Sequence, residues 1–215
     1  MLHWAIAAFI IFNLCTGFFI ANWLAGPSEI PPSLRWMSLM LHVSSGLTVL
    51  TLTVARVLWR LFNPPPPYLA TLKPWERHTA HCAHFLLYAA MVLMPLTGWA
   101  ILSAHPPPGS PGAAAESSAP PAAPPAAPPA GPPRPMKVWN LFPMPVIVPI
   151  EAIGKEPGAV AAQHVLHEKF AEWHGAGGYL LLGLLMLHIL GALKHQFIDK
   201  QSEFARMWIE RRRRS

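Results

Sequence analysis

Four stretches of this chain, residues 1–28, 36–55, 78–115 and 173–193, contain no Asp, Glu, Lys or Arg. A helix rises about 1.5 Å per residue, so roughly 20 apolar residues cross the hydrocarbon layer of a bilayer. Each stretch is long enough. In the third, the helix must end near His105, because Pro106, Pro107 and Pro108 follow and proline lacks the amide proton that a helix interior needs. The expected fold class is therefore an all-α membrane protein, a bundle of four transmembrane helices. Charged residues make up 12% of the chain, about half their share in soluble domains. The first stretch reads as a span and not as a secretory leader. No basic residue precedes it, and its apolar run from Trp4 to Leu24 exceeds the roughly 7–15 residues of a leader core.

The net charge of +6 does not point to nucleic acid, because the basic residues follow the spans. Arg56, Arg60, Lys73 and Arg77 fall in the connection between spans two and three. Lys194, Lys200, Arg206 and the run Arg211 to Arg214 follow span four. Short loops rich in Lys and Arg stay in the cytoplasm, so both termini and the 2–3 connection are expected inside. The chain is therefore expected to cross its membrane several times.

Residues 1–103 hold spans one to three, at about residues 2–24, up to 62 and 79–103. Residues 104–137 are dominated by Pro, Ala, Gly and Ser. They cannot bury enough apolar surface to order themselves, and read as a disordered periplasmic insertion without chemistry. Residues 138–172 regain aromatic and aliphatic side chains and are expected to form a periplasmic connection, with a short surface helix over 159–170. Span four begins near 168–173 and runs to about Phe197, with a basic cytoplasmic tail in the rest of 173–215. No internal repeat stands out. Cys15 and Cys82 lie in spans, where a small polarizable side chain packs, and the lack of Cys-x-x-Cys-His excludes covalent c-type haem.

Eleven histidines are many for such a chain, and an ionisable group within a span is by default a functional candidate. The topology sorts them by depth. His3 opens span one from inside, His42 lies about two turns into span two from outside, and His174 opens span four from outside. His188 follows 14 residues after His174, about 21 Å deeper and near four whole turns, hence on the same face. Two levels result, His42 with His174 outside and His3 with His188 inside. Paired imidazoles at two depths suit two six-coordinate b-type haems, and iron without an open position favours electron transfer over oxygen binding. Four residues after each histidine stands a small one, Ala7, Gly46, Gly178 and Ala192. That is the spot on the same helix face where a flat macrocycle would press, though small residues also serve close helix packing.

The other histidines carry less. His78, His81 and His84 step down the start of span three; His81 and His84 read as neighbours of the haem or its propionates and His78 as interfacial. His105, His164 and His167 read as solvated in the outer connection. His195, beside Lys194, reads as inner-surface charge, with a role near a quinone head group as the sharper option. Arg56 and Arg60 either snorkel to lipid phosphates or pair with propionates of the inner haem. Arg35 is placed to do the same outside.

Taken in order, several stretches resemble the bacterial cytochrome b561 family, which includes superoxide:ubiquinone oxidoreductases. They are Leu2-His3-Trp4, Leu41-His42 with Gly46, Ala55-Arg56-Val57-Leu58-Trp59-Arg60, Pro64 to Pro67 and Trp75-Glu76-Arg77. After them come His84 with Leu87-Tyr88, Pro95-Leu96-Thr97-Gly98-Trp99, and His174 through Leu187-His188 to Ala192-Leu193-Lys194-His195-Gln196-Phe197-Ile198-Asp199. The resemblance implies a dihaem cytochrome of the inner membrane with His3, His42, His174 and His188 as axial ligands, exchanging electrons with ubiquinone. Three departures stand out. His3 is only the third residue, so either the start is assigned late or the inner site is the less well supported. Val43 follows His42 where family members often carry Lys, which removes a charge that would steer superoxide. The Pro/Ala tract is not a family hallmark.

The expected function is electron transfer between a periplasmic-side donor, with superoxide as one candidate, and ubiquinone. An alternative is a haem-bearing membrane subunit serving a partner dehydrogenase or hydrogenase. A histidine-lined metal or proton transporter would want acidic residues within the spans, and they hold none. A purely structural anchor leaves the two-level histidines unexplained.

Overall fold

The computed structural model describes residues 2–24, 31–63, 73–104, 136–153 and 160–200. Helix α1 spans Leu2–Phe19 and runs into a wider π-helical turn over Ile20–Leu24; α2 spans Pro32–Phe62 and α3 Pro74–Ser103. A two-stranded hairpin follows, β1 Lys137–Val138 and β2 Phe142–Pro143, then a single helical turn and a half, α4, at Val148–Ile153. Helix α5 spans Val160–Leu193 and ends in a second π-helical turn, Lys194–Ile198. Four helices are long and apolar enough to cross a bilayer. The protein is an all-α membrane bundle, as its charge-free stretches require. The Pro/Ala tract falls almost wholly outside the described residues.

Neighbours in the chain pack on one another, and α5 closes against both α3 and α1. Ile6 and Ile10 of α1, Val49 of α2, Leu87 and Met91 of α3 and Leu181 of α5 form one buried cluster. Each of these positions lies between the two histidine depths on its helix, so an apolar plug separates the levels. Outside the plug, Phe85 is 71% and Leu187 67% exposed. In water such surface would favour aggregation; in a bilayer it is the lipid-facing side, where acyl chains are as apolar as the side chain.

The helix starts follow local chemistry. Prolines stand at the first turns of α2 and α3, where no amide proton is required. Glu76, three residues into α3, accepts from the Lys73 amide at 3.0 Å, which satisfies one donor that the helix cannot. The expected separate surface helix over 159–170 differs from the structure, where that segment is the opening of α5 itself. Nothing breaks it. No proline occurs between Val160 and Leu193, and the polar turns carry pairs at helical spacing, His164 with Glu168 at 3.4 Å and Lys169 with Glu172 at 3.6 Å.

The hairpin is held on the bundle by tryptophan. Trp139 and Asn140 both take positive φ, 49° and 59°, which is unusual for Trp and costs about 1–3 kcal/mol. Two bonds offset that cost. The Trp139 amide donates to Ser44 Oγ at 2.8 Å and its indole to Thr48 Oγ1 at 3.0 Å. The indole of Trp99 donates to the Pro145 carbonyl at 2.6 Å, and the Ile147 amide to Ser103 Oγ at 2.9 Å. This end of the bundle, beside the connection, is called upper below; the end with Arg56, Arg60 and Lys194 is called lower.

Candidate functional site

The four histidines singled out by depth do meet in two pairs. His42 and His174 face each other with ring centres 6.0 Å apart and planes at 83°. His3 and His188 lie 6.4 Å apart at 68°. With metal–imidazole bonds of about 2 Å, and about 1 Å from nitrogen to ring centre, two imidazoles on one metal stand roughly 6 Å apart. Both separations suit that arrangement.

At the upper level the surroundings fix each ring. Asn13 of α1 donates both amide protons to α2, to the His42 carbonyl at 2.8 Å and to Ser45 Oγ at 2.7 Å. The Asn13 backbone carbonyl lies 3.1 Å from His42 Nδ1, as does Thr16 Oγ1. A carbonyl can only accept, and the Thr16 hydroxyl proton is turned to the carbonyls of Phe12 at 3.0 Å and Asn13 at 3.1 Å. The proton of His42 therefore sits on Nδ1, leaving Nε2 with a free lone pair. On α5 the same logic holds. Thr97 Oγ1 donates to the Met94 carbonyl at 2.9 Å and stands 3.0 Å from His174 Nδ1. An acceptor at Nδ1–H is the usual companion of a histidine that binds metal through Nε2.

His42 and His174 share a cavity of about 400 Å³, whose walls also include Gly17, Gly46, Met94, Gly98 and Gly178. A Cβ placed on Gly178 would meet open space. Of the two small residues expected after these histidines, Gly178 faces open space, whereas a Cβ on Gly46 would stand 3.4 Å from Asn13 Nδ2; the donor set, the spacing and the cavity fit a flat iron macrocycle. Asn13, Thr16, Gly17 and Met94 were not singled out from sequence; the repeated dipeptide Thr-Gly, at 16–17 and 97–98, was the available signal.

The lower level is built differently. His84 of α3 joins it, its ring 5.5 Å from that of His188, so three imidazoles gather where two were expected to pair. Arg56 donates to His3 Nδ1 at 3.1 Å, which puts the His3 proton on Nε2. The guanidinium carbons of Arg56 and Arg60 each lie 5.8 Å from the centre of the Tyr88 ring, and the Tyr88 hydroxyl is buried without a hydrogen-bond partner. Cations and an unmet phenol suit a carboxylate-bearing group there. His78 and His81 are exposed on α3, and His164 is exposed on α5, whereas His167 is half-buried, with Nδ1 3.3 Å from the Ile101 carbonyl. His105 lies outside the described residues.

Below the lower histidines, the π-helical turn that ends α5 forms a polar latch. Lys194 donates to Glu76 at 2.7 Å and to Asp199 at 2.8 Å, and His195 stands 2.7 Å from the same Asp199 oxygen. These bonds, Lys194 first and then His195, hold the Asp199 carboxyl below its ordinary 3.8. Glu76, His195 and Asp199 are close enough together to hold a metal ion, but the Lys194 ammonium already bridges the two carboxylates. His195 belongs to this latch.

A family model described as prokaryotic cytochrome b561 matches residues 1–209. The chain belongs to that family. Among its curated relatives is "Cytochrome b561 homolog 2" of Escherichia coli K12, 26% identical over 167 residues, which cover 78% of this chain and 68% of that protein. A second is "Probable superoxide oxidase CybB" of Yersinia pestis, 36% identical over 67 residues, 31% of this chain and 38% of the relative. With its four apolar helices, this b561-family protein is a multi-pass membrane cytochrome that binds b-type haem and serves electron transfer.

Proposed function

We propose that the chain holds two haems b, one on His42 and His174 and one on His3 and His188, and passes electrons between them across the bacterial inner membrane. The observation that carries this reading is the upper pair: facing imidazoles 6.0 Å apart, both with Nδ1 tied off, on a shared cavity of about 400 Å³. A bis-imidazole haem supplies a one-electron iron centre with no open position, suited to electron transfer. The protein's own part is to hold the imidazoles, to keep the apolar plug between the levels, and to offer Arg56 and Arg60 to propionates.

The basic lower end is the cytoplasmic one, with both termini there, since Lys and Arg cluster at it. The upper end then meets a periplasmic donor, and residues 104–137 are a spacer beside it without chemistry. Superoxide is the donor supported by the name of one relative, and ubiquinone the acceptor. Two superoxides each lose one electron to become dioxygen, and one ubiquinone gains both with two protons. Val43, beside His42, adds no steering charge, so the donor is expected to arrive without electrostatic help.

The test is to place the purified protein in vesicles with ubiquinone and generate superoxide outside. Haem reduction followed by quinol formation, both stopped by superoxide dismutase, is the expected result. Haem-loaded protein that superoxide does not reduce would remove the donor and favour a subunit that serves a partner dehydrogenase. Colourless protein from haem-replete cells would remove the cytochrome reading itself.

A further inference from the structure

The upper histidines are seated alike by two different helices. On α1, Thr16 Oγ1 lies 3.1 Å from His42 Nδ1, and a Cβ on the adjoining Gly17 would come within 2.9 Å of His42 Cε1. On α3, Thr97 Oγ1 lies 3.0 Å from His174 Nδ1, and a Cβ on Gly98 would come within 3.0 Å of His174 Cε1. Carbon atoms in ordinary contact stand about 3.5–4.0 Å apart, so neither glycine can carry a side chain while the ring stays put. Each threonine meanwhile sends its own proton to a carbonyl of its own helix, and so presents a lone pair to the imidazole.

We propose that Thr16-Gly17 and Thr97-Gly98 are two equivalent positioning pairs. The glycine lets the Cε1 edge of the neighbouring imidazole come close to the helix, and the threonine, joined at His42 by the Asn13 backbone carbonyl, holds the proton on Nδ1, so that Nε2 is the ligating atom. This rests on the reading that His42 and His174 hold haem, and goes beyond it by naming what makes them competent to do so. Neither half suffices alone. Without the hydroxyl, the ring is in place but its tautomer and basicity are less constrained; without the glycine, the ring is pushed aside and the hydroxyl loses its partner. Single interhelical hydrogen bonds in membranes contribute little, so removing one hydroxyl leaves the bundle folded. Its influence falls on the ligand.

The experiment compares wild type with Thr97→Val, Thr97→Ser and Gly98→Ala. In haem-free protein, nitrogen NMR of the histidines should show the Nδ1–H form at His174 in wild type and Thr97→Ser, and a mixture in Thr97→Val. In haem-loaded protein, Thr97→Val should raise the midpoint potential of the upper haem, because an imidazole that no longer donates from Nδ1 is a weaker electron donor to iron. Thr97→Ser should restore it, and the lower haem should not move. Gly98→Ala should weaken upper haem retention about tenfold or more, in the range seen when partners of a metal-bound histidine are lost. A Thr97→Val protein with wild-type tautomer and wild-type upper potential would overturn the proposal. Wild type that binds no haem at the upper level would instead overturn the ligation reading, and the NMR comparison would still decide the tautomer claim.

Discussion

At the upper level both imidazoles donate from Nδ1 to oxygens of a neighbouring helix, and a cavity lies between them. At the lower level His3 accepts at Nδ1 from Arg56, and a third ring, His84, crowds His188. The first arrangement is already the one a metal would need. In the second, His3 can offer a neutral lone pair at Nε2 only if its proton moves to Nδ1 and Arg56 turns away. A guanidinium released in this way is free to meet a carboxylate, so binding of a propionate-bearing group at the lower level would be coupled to rearrangement. The same residue type thus gives one preorganised site and one that must adjust, and preorganisation lowers the cost of binding.

That contrast can be broken most sharply by filling the upper cavity. Gly178→Leu places a branched side chain where a Cβ now meets open space. It should reduce upper haem retention about 10–100-fold, comparable to losing a partner of a metal-bound histidine, and leave the lower haem in place. Equal loss of both haems, measured by haem quantified per chain, would mean that the two sites are not independent. A smaller effect is expected from Arg56→Ala. Loss of a cation beside His3 favours the oxidised centre, so the lower haem should titrate at a potential lower by on the order of 60 mV, a tenfold change for one electron. The upper haem should be unmoved in the same redox titration.

The smallest effect belongs to the latch beneath the lower level. The Asp199 carboxyl is held below its ordinary 3.8 in the folded protein, so the unfolded chain binds its proton first as pH falls. Its contribution to stability is present above about 3.8 and fades as pH drops through the depressed folded value. Thermal unfolding of Asp199→Asn should therefore differ slightly from wild type at neutral pH and converge with it in strong acid. A difference that stays constant to low pH would show that the carboxylate charge plays no part in the latch.

The spans and the two histidine depths could be read from the sequence, because both are consequences of helix rise and of what a bilayer tolerates. Depth alone pairs His42 with His174 and His3 with His188. The seats could not be read in the same way. Thr16 reaches a histidine 26 residues away and Thr97 one 77 residues away, and nothing in periodicity says which faces of two helices will touch. His84 was placed among the haem neighbours, but its close approach to His188 depends on the rotation of α3, which the sequence leaves open. Helix α5 starts earlier than its hydrophobic window for a different reason. Charged residues end a hydrophobic window, yet they do not end a helix, and turns with Glu168, Lys169 and Glu172 continue it beyond the bilayer.

The most direct measurement is haem per chain, by pyridine haemochrome, in wild type beside His42→Ala and His188→Ala. Two haems are expected in wild type and one in each variant. In His42→Ala the survivor should be the lower haem, identified by the sensitivity of its potential to Arg56→Ala. Two haems retained in either variant, or both lost together in His42→Ala, would contradict paired histidines at two separate levels.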